Sequence, residues 1–91
     1  MNVDEARSIV VSVVGEVLQG KVDVTNETHL IGGDSPVDSM SLVQICVELE
    51  DLAEEHGFEF DWTSDAAMSK SRSMFRDVMS LAEEFADQSE A

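Results

Sequence analysis

The chain has 91 residues, of which 20 are acidic and five are basic, so its formal charge is −15 at pH 7. A domain of this size has a small core and little room for a catalytic pocket beside it, which favours a binding or carrier module over an enzyme. The charge repels nucleic acid and anionic membranes, so neither is expected as a partner, and it favours partner proteins with a basic patch. An acidic surface that only keeps the domain soluble is the plainer alternative.

The start of the chain lacks the basic residues and continuous apolar run of a secretory signal, and no segment reaches the roughly 20 apolar residues of a membrane span. We therefore expect a cytoplasmic protein, and a monomer. The single cysteine, Cys46, stands in an apolar run and is expected to be a buried, unreactive thiol.

The first predicted helix covers Val3 to Leu18, where apolar residues recur every three or four positions. Asn2, with Glu5 three residues later, resembles a capping box, and Gly20 is a stop signal. This pattern outweighs the preference of the many valines for strands.

A long polar connection follows, from Lys21 to Asp38. Leu30 and Ile31 are its apolar interruption, and we expect them to attach the loop to the core. A connection of this length is uncommon in a small domain and is often functional.

The second predicted helix begins after Asp38, which suits the N-cap position, and ends at Gly57. Its apolar stripe is expected to be buried and consists of Leu42, Val43, Ile45, Cys46, Leu49, Leu52 and Ala53.

The aromatic residues Phe58, Phe60 and Trp62 alternate with acidic residues, as in a strand. No second segment could pair with such a strand, so we predict an extended linker whose rings fill a helical core. A short helical turn is expected at residues 64–68, a last helix from near Ser73, and a frayed polar tail at residues 87–91. The predicted fold is all-α: one domain over residues 1–91, an antiparallel bundle of three long helices and one short helix.

Familiar catalytic and metal-binding patterns are missing from the sequence. His29 and His56 have no zinc-type spacing with Cys46 and are expected to be solvated or structural. No glycine-rich phosphate loop occurs, and residues 23–27 lack the central glycine of a calcium loop. Acidic pairs such as Glu48 with Asp51 are expected to form a solvated face. We predict no catalytic residue and no metal site.

One motif remains, Asp38-Ser39-Met40 at the start of the second helix. With Val43 and the later Leu49-Glu50-Asp51, it resembles the acyl carrier protein family, in which an Asp-Ser-Leu/Met/Ile triplet opens the second helix of a four-helix bundle. The resemblance covers most of the chain and extends to Leu30-Ile31-Gly32-Gly33, Phe58-Glu59-Phe60 and residues 73–85. Taken alone, the triplet is equally an ordinary N-cap.

The resemblance implies a non-catalytic carrier whose Ser39, next to Asp38, holds a covalent 4′-phosphopantetheine arm. It implies as partners a magnesium-dependent phosphopantetheinyl transferase, an acyl-loading ligase or synthase and an acyltransferase, each with a basic docking patch. The implied recognition surface comprises Met40, Gln44, Val47, Glu48 and Asp51, of which Met40 and Val47 could equally be core residues.

Ser35 is a second candidate for attachment. It is disfavoured because Pro36 stands where an apolar residue is expected and opposes a helix at Ser35. A hydroxyl in the first turn of a helix, as predicted for Ser39, faces solvent near unpaired N–H groups that can accommodate a phosphodiester.

The second helix is predicted to be nearly a turn longer than in fatty-acid carriers. This length and the segment Ala67-Met68-Ser69-Lys70 are similar to carriers of polysaccharide or secondary-metabolite pathways. A dedicated biosynthetic pathway is therefore expected. The alternatives are an aminoacyl carrier of the D-alanyl type, an unmodified acidic interaction module and, as a minor one, a serine hydrolase.

Overall fold

The chain folds into helices joined by loops and one extended linker. The computed structural model describes residues 1–33 and 35–90, and over these ranges it contains five helices and no strand. The helices are α1 (Val3–Val17), α2 (Ser39–Glu55), α3 (Asp65–Ser69), α4 (Ser71–Met74) and α5 (Val78–Ser89). The all-α prediction is confirmed, but two short helices lie between the long ones where one was expected. None of the helices in the described ranges is both long and apolar enough to cross a bilayer.

Four of these five helices are preceded by an N-cap residue whose side chain accepts a hydrogen bond from the backbone N–H three residues later. The caps are Asn2, Asp38, Ser64 and Asp77, with donor to acceptor distances between 2.7 and 3.2 Å. Each cap satisfies one of the N–H groups that a helix start leaves without an intrahelical acceptor. The predicted starts of the first two helices and of the short turn after Ser64 are confirmed.

Helix α2 ends as predicted. Gly57 has φ +86° and its N–H donates to Glu54 O, while Phe58 N donates to Ala53 O at 3.0 Å, the two bonds of a Schellman motif. Helix α1 ends in the same way, but one residue earlier than its glycine. Gln19, with φ 58°, takes the C′ position there, and Gly20, also left-handed at φ 70°, donates the outer bond to Gly15 O.

The aromatic linker packs as predicted. The rings of Phe58 and Phe60 each meet Phe85 of α5 edge to face, with centroids 5.2 Å apart. Trp62 lies at the edge of the core, where its indole N–H donates to the carboxylate of Glu50 on α2. These contacts join α2, the linker and α5 around one apolar centre.

The stripe of α2 is only partly buried: Ile45, Cys46, Leu49 and Ala53 are buried, Leu42 and Leu52 are half-buried, and Val43 is exposed. Val43 is 49% exposed because it lies about 100° around the helix from Leu42. Burial also raises the pKa of the Cys46 thiol to about 12, with the negative charge of Glu50 as a smaller cause. The thiol is therefore neutral and inert, as expected from its place in the sequence.

The loop before α2 is attached to the core and to the last helix. Leu30 is fully buried and Ile31 is partly buried against the core, which confirms their predicted role. Two loop carbonyls also accept bonds from the first turn of α5: Val78 N donates to Thr28 O and Met79 N to Asn26 O, both at 3.0 Å. The loop thus supplies part of the N-terminal cap of α5.

The predicted start of the last helix near Ser73 is wrong. Helix α4 ends at Met74, with Phe75 as its C-cap, and the backbone of Asp77 is extended, so that α5 begins only at Val78. The loop carbonyls explain the interruption, because a continuous helix through Asp77 would use the Val78 N–H internally instead of donating it to Thr28.

The predicted fraying of residues 87–91 is wrong as far as Ser89, where α5 ends. The side chain of Gln88 accepts from Asp61 N at 2.6 Å and donates to Asp61 O at 2.8 Å, and this pair of bonds holds the last turn against the linker. Ala91 lies outside the described residues.

The cap at Asp77 gives a prediction for the pH dependence of stability. Partial burial, the largest influence, raises the pKa of Asp77, but the N–H and hydroxyl of Ser80 and the charge of Arg76 together lower it below its usual value. A lowered pKa in the folded state means that the carboxylate stabilises the fold above the unfolded pKa, near 3.9, and loses this effect as the pH falls through the folded value.

We expect Asp77→Ala to lower the free energy of unfolding by about 1 kcal/mol at pH 7. The difference from the wild type should shrink below about pH 4 as the wild-type carboxyl is protonated. Urea denaturation at several pH values measures both effects. Asp87→Ala, an exposed position near the other end of α5, is the matched control and should show no loss; an equal loss in both variants would contradict a capping role.

Candidate functional site

The candidate site is the first turn of α2. Ser39 is its first residue and is exposed, and its hydroxyl forms no hydrogen bond within residues 1–33 and 35–90. Asp38 fixes this turn from the preceding position: its Oδ1 accepts from Ser41 N at 2.7 Å and its carbonyl accepts from Leu42 N at 2.9 Å. Ser39 therefore projects from a well-capped helix start into solvent.

The carboxylate of Asp38 is ionised at neutral pH. The N–H of Ser41, followed by the hydroxyl of Ser41, holds the pKa of this carboxyl below its usual value. Because these bonds engage the carboxylate with the first turn of the helix, Asp38 acts as the N-cap of α2.

Within the described residues, neither histidine forms a hydrogen bond with Ser39. His56 is the C-cap residue of α2, 17 positions further on, which corresponds to about 25 Å along the helix. His29 has its Nδ1 3.2 Å from the carbonyl oxygen of Arg76. Over the described residues no group of three His, Cys, Asp or Glu side chains is arranged to hold a metal ion.

Ser35 is in a different situation from Ser39. Its hydroxyl donates to His29 O at 2.8 Å and accepts from Val37 N at 3.0 Å, and the residue is half-buried. The hydroxyl thus holds the loop together just before α2. Of the two candidate serines, Ser39 presents the accessible oxygen.

The residues expected to form a recognition surface lie on the outer part of α2. Met40 is 82% exposed and Val47 is 44% exposed, which settles both as surface and not core residues. Gln44 and Asp51 are exposed beside them, whereas Glu48 is half-buried on the side that faces α1.

Val43 belongs to the same outer face and was missed at the sequence level, where it was assigned to the core. Its spacing of four residues from Val47 places the two side chains next to each other on the helix. Together with Met40 they form an exposed apolar strip, Met40/Val43/Val47, directly after Ser39.

The chain matches no protein-family model, no curated protein and no solved structure. The assignment of this site therefore depends on its local features, which are an accessible hydroxyl, a long capped helix and an exposed apolar strip beside them.

The contrast between the two serines can be measured as stability. We expect Ser35→Ala to lower the free energy of unfolding by about 1–2 kcal/mol, because it leaves His29 O and Val37 N without their partner. Ser39→Ala should change it by less than about 0.5 kcal/mol, since an exposed helix position tolerates alanine. Chemical denaturation of both variants tests this, and a larger loss for Ser39→Ala would show that the Ser39 hydroxyl has a structural role.

Proposed function

We propose that this chain is an acyl carrier protein that holds its cargo on a 4′-phosphopantetheine arm attached to Ser39 Oγ. The observation that carries the proposal is the exposed hydroxyl at the first position of a 17-residue helix, which forms no hydrogen bond with residues 1–33 or 35–90. The helix order, three long helices with short helical segments between the second and the last, supports the proposal because it is compatible with the carrier fold that the resemblance implies.

The first turn of α2 fits a phosphodiester on Ser39. A helix start has N–H groups without intrahelical acceptors and the positive end of the helix dipole, and both stabilise an anion. Asp38 takes up the Ser41 N–H, while the Ser39 N–H donates to no acceptor in the described part of the chain. The arm, when bound, supplies a terminal thiol on which an acyl group is carried as a thioester.

Ser39 acts as an attachment point and depends on a partner for its activation. In the proposed transfer, Ser39 Oγ displaces adenosine 3′,5′-bisphosphate from the diphosphate of coenzyme A, and the hydroxyl proton passes to a base of the transferase. Among the described residues, Asp38 caps the helix and His56 lies at its far end, so neither supplies this base. Catalysis therefore belongs to the partner enzymes.

The surface of the chain favours partners with basic docking patches. A formal charge of −15 attracts such enzymes from a distance and accelerates their encounter. The apolar strip Met40/Val43/Val47 then offers a small desolvated contact beside Ser39. We propose the phosphopantetheinyl transferase, a loading ligase or synthase and an acyltransferase of a dedicated biosynthetic pathway as these partners.

Mass spectrometry tests the attachment directly. After co-expression with a broad-specificity phosphopantetheinyl transferase, the wild type and Ser35→Ala should each gain the mass of one phosphopantetheine group, and Ser39→Ala should gain none. Circular dichroism confirms that each variant is folded. An unmodified wild type, or undiminished modification of Ser39→Ala, contradicts the proposal and favours an unmodified acidic interaction module.

The contribution of the apolar strip is tested by Met40→Glu. We expect kcat/KM of the transferase reaction to fall about tenfold, because the loss of one well-buried contact costs about 1–2 kcal/mol. Met68→Glu on α3 is the matched control, since Met68 is also exposed, at 60%, but lies off α2. Equal rates for the two variants would show that the strip does not contact the transferase.

A further inference from the structure

Helices α1 and α2 leave a groove between them on the outer surface of the bundle. The groove has a volume of about 460 Å³, within the range of ligand-binding clefts. Its floor is apolar and consists of Ile9 and Val13 from α1 and Leu52 from α2. Ile9 and Leu52 are only partly buried, so apolar surface remains open to solvent there. The small side chains of Ser8 and Ser12 keep the α1 side of the groove shallow.

The rim of the groove is negatively charged. Glu16 lies on the α1 side, and Glu48 and Asp51 lie on the α2 side. Neither lysine nor arginine is among the described residues that line it. An apolar floor between carboxylates is complementary to an apolar stripe flanked by basic side chains.

The groove lies apart from Ser39 itself, although it shares Glu48 and Asp51 with the recognition surface that the resemblance implies. Glu48 follows Ser39 by nine residues, which places it about 13 Å further along α2 and about half a turn around the helix. An occupant of the groove therefore leaves Ser39 and the neighbouring Met40 uncovered.

We propose that the groove between α1 and α2 docks an amphipathic helical segment of a partner protein that has lysine or arginine on both sides of its apolar stripe. Along α1 the groove extends from Ser8 to Glu16, about 12 Å, which matches two turns of such a helix. A second copy of this chain is a poor occupant, because two molecules of charge −15 repel each other. The groove would hold a partner while Ser39 stays accessible, and this inference does not depend on modification of Ser39.

A designed peptide tests the groove on the unmodified full-length chain. The peptide is an amphipathic helix of about five turns with leucines in one stripe and lysines on both sides, and a scrambled peptide of identical composition is the control. In ¹⁵N-labelled protein, amide shifts should change chiefly around Ile9, Ser12, Glu48 and Leu52, with the designed peptide only. Shifts centred on Met40 and Val47, or equal shifts with the scrambled peptide, would overturn the proposal. Concentration-dependent shifts of these groove amides without peptide would also overturn it, since they would identify a second copy as the occupant.

Two charge-reversal variants, one in the groove and one outside it, form a matched pair for the same binding measurement. Glu48→Lys should weaken binding of the designed peptide at least tenfold, whereas Glu83→Lys, the same change on the exposed side of α5, should alter Kd by less than about threefold. Equal weakening of peptide binding by both substitutions would show that only the total charge of the protein matters, and it would overturn the proposed docking in the groove. Because neither measurement uses the phosphopantetheine arm, failure of the groove and failure of the carrier proposal give separate results.

Discussion

Two backbone hydrogen bonds between the long loop and the start of α5 determine much of this structure. They run from Val78 N to Thr28 O and from Met79 N to Asn26 O. They interrupt the helix that would otherwise continue from α4, and they hold the loop close to the core, where Leu30 is buried. Further along the loop, the Ser35 hydroxyl binds backbone groups on both sides of itself, and this leads the chain into Asp38. The position of Ser39 thus depends on contacts that begin more than ten residues earlier.

Local signals in the sequence were sufficient for most helix boundaries. Asn2 and Asp38 cap the predicted helices, Gly57 ends α2, and the three aromatic residues form a linker that packs against the core. These features depend on neighbours within a few residues, so a single sequence carries them.

The wrong helix boundaries lie where contacts with residues far away in the sequence determine the local structure. The start of α5 is set by loop carbonyls about fifty positions earlier, and its last turn is retained by the bonds between Gln88 and Asp61. The spacing of apolar residues along the sequence does not show these long-range hydrogen bonds. Val43 is a different kind of error, because a broad apolar stripe was taken as entirely buried although only part of it faces the core.

For the candidate site, the sequence indicated the helix start and Ser39. The structure adds the exposure and the hydrogen bonds of the Ser39 and Ser35 hydroxyls. Pro36 already disfavoured Ser35, but its two backbone bonds could not be inferred from residue types. The separation of Glu48 from the outer face of α2 also required the position of α1. The sequence therefore predicts which side chains carry a hydroxyl or carboxylate group. The packing of the helices and the loop determines which of these groups are exposed to solvent.

The packing of α1 against α5, the largest helix contact in the described chain, has a consequence for biosynthesis. During translation, α1 leaves the ribosome before the other helices described here; α2 can pack against it early, but the larger contact with α5 forms only after residues 78–89 have emerged. The core therefore closes only when synthesis of this region is nearly complete, and the nascent chain depends on its many acidic residues to stay dispersed until then.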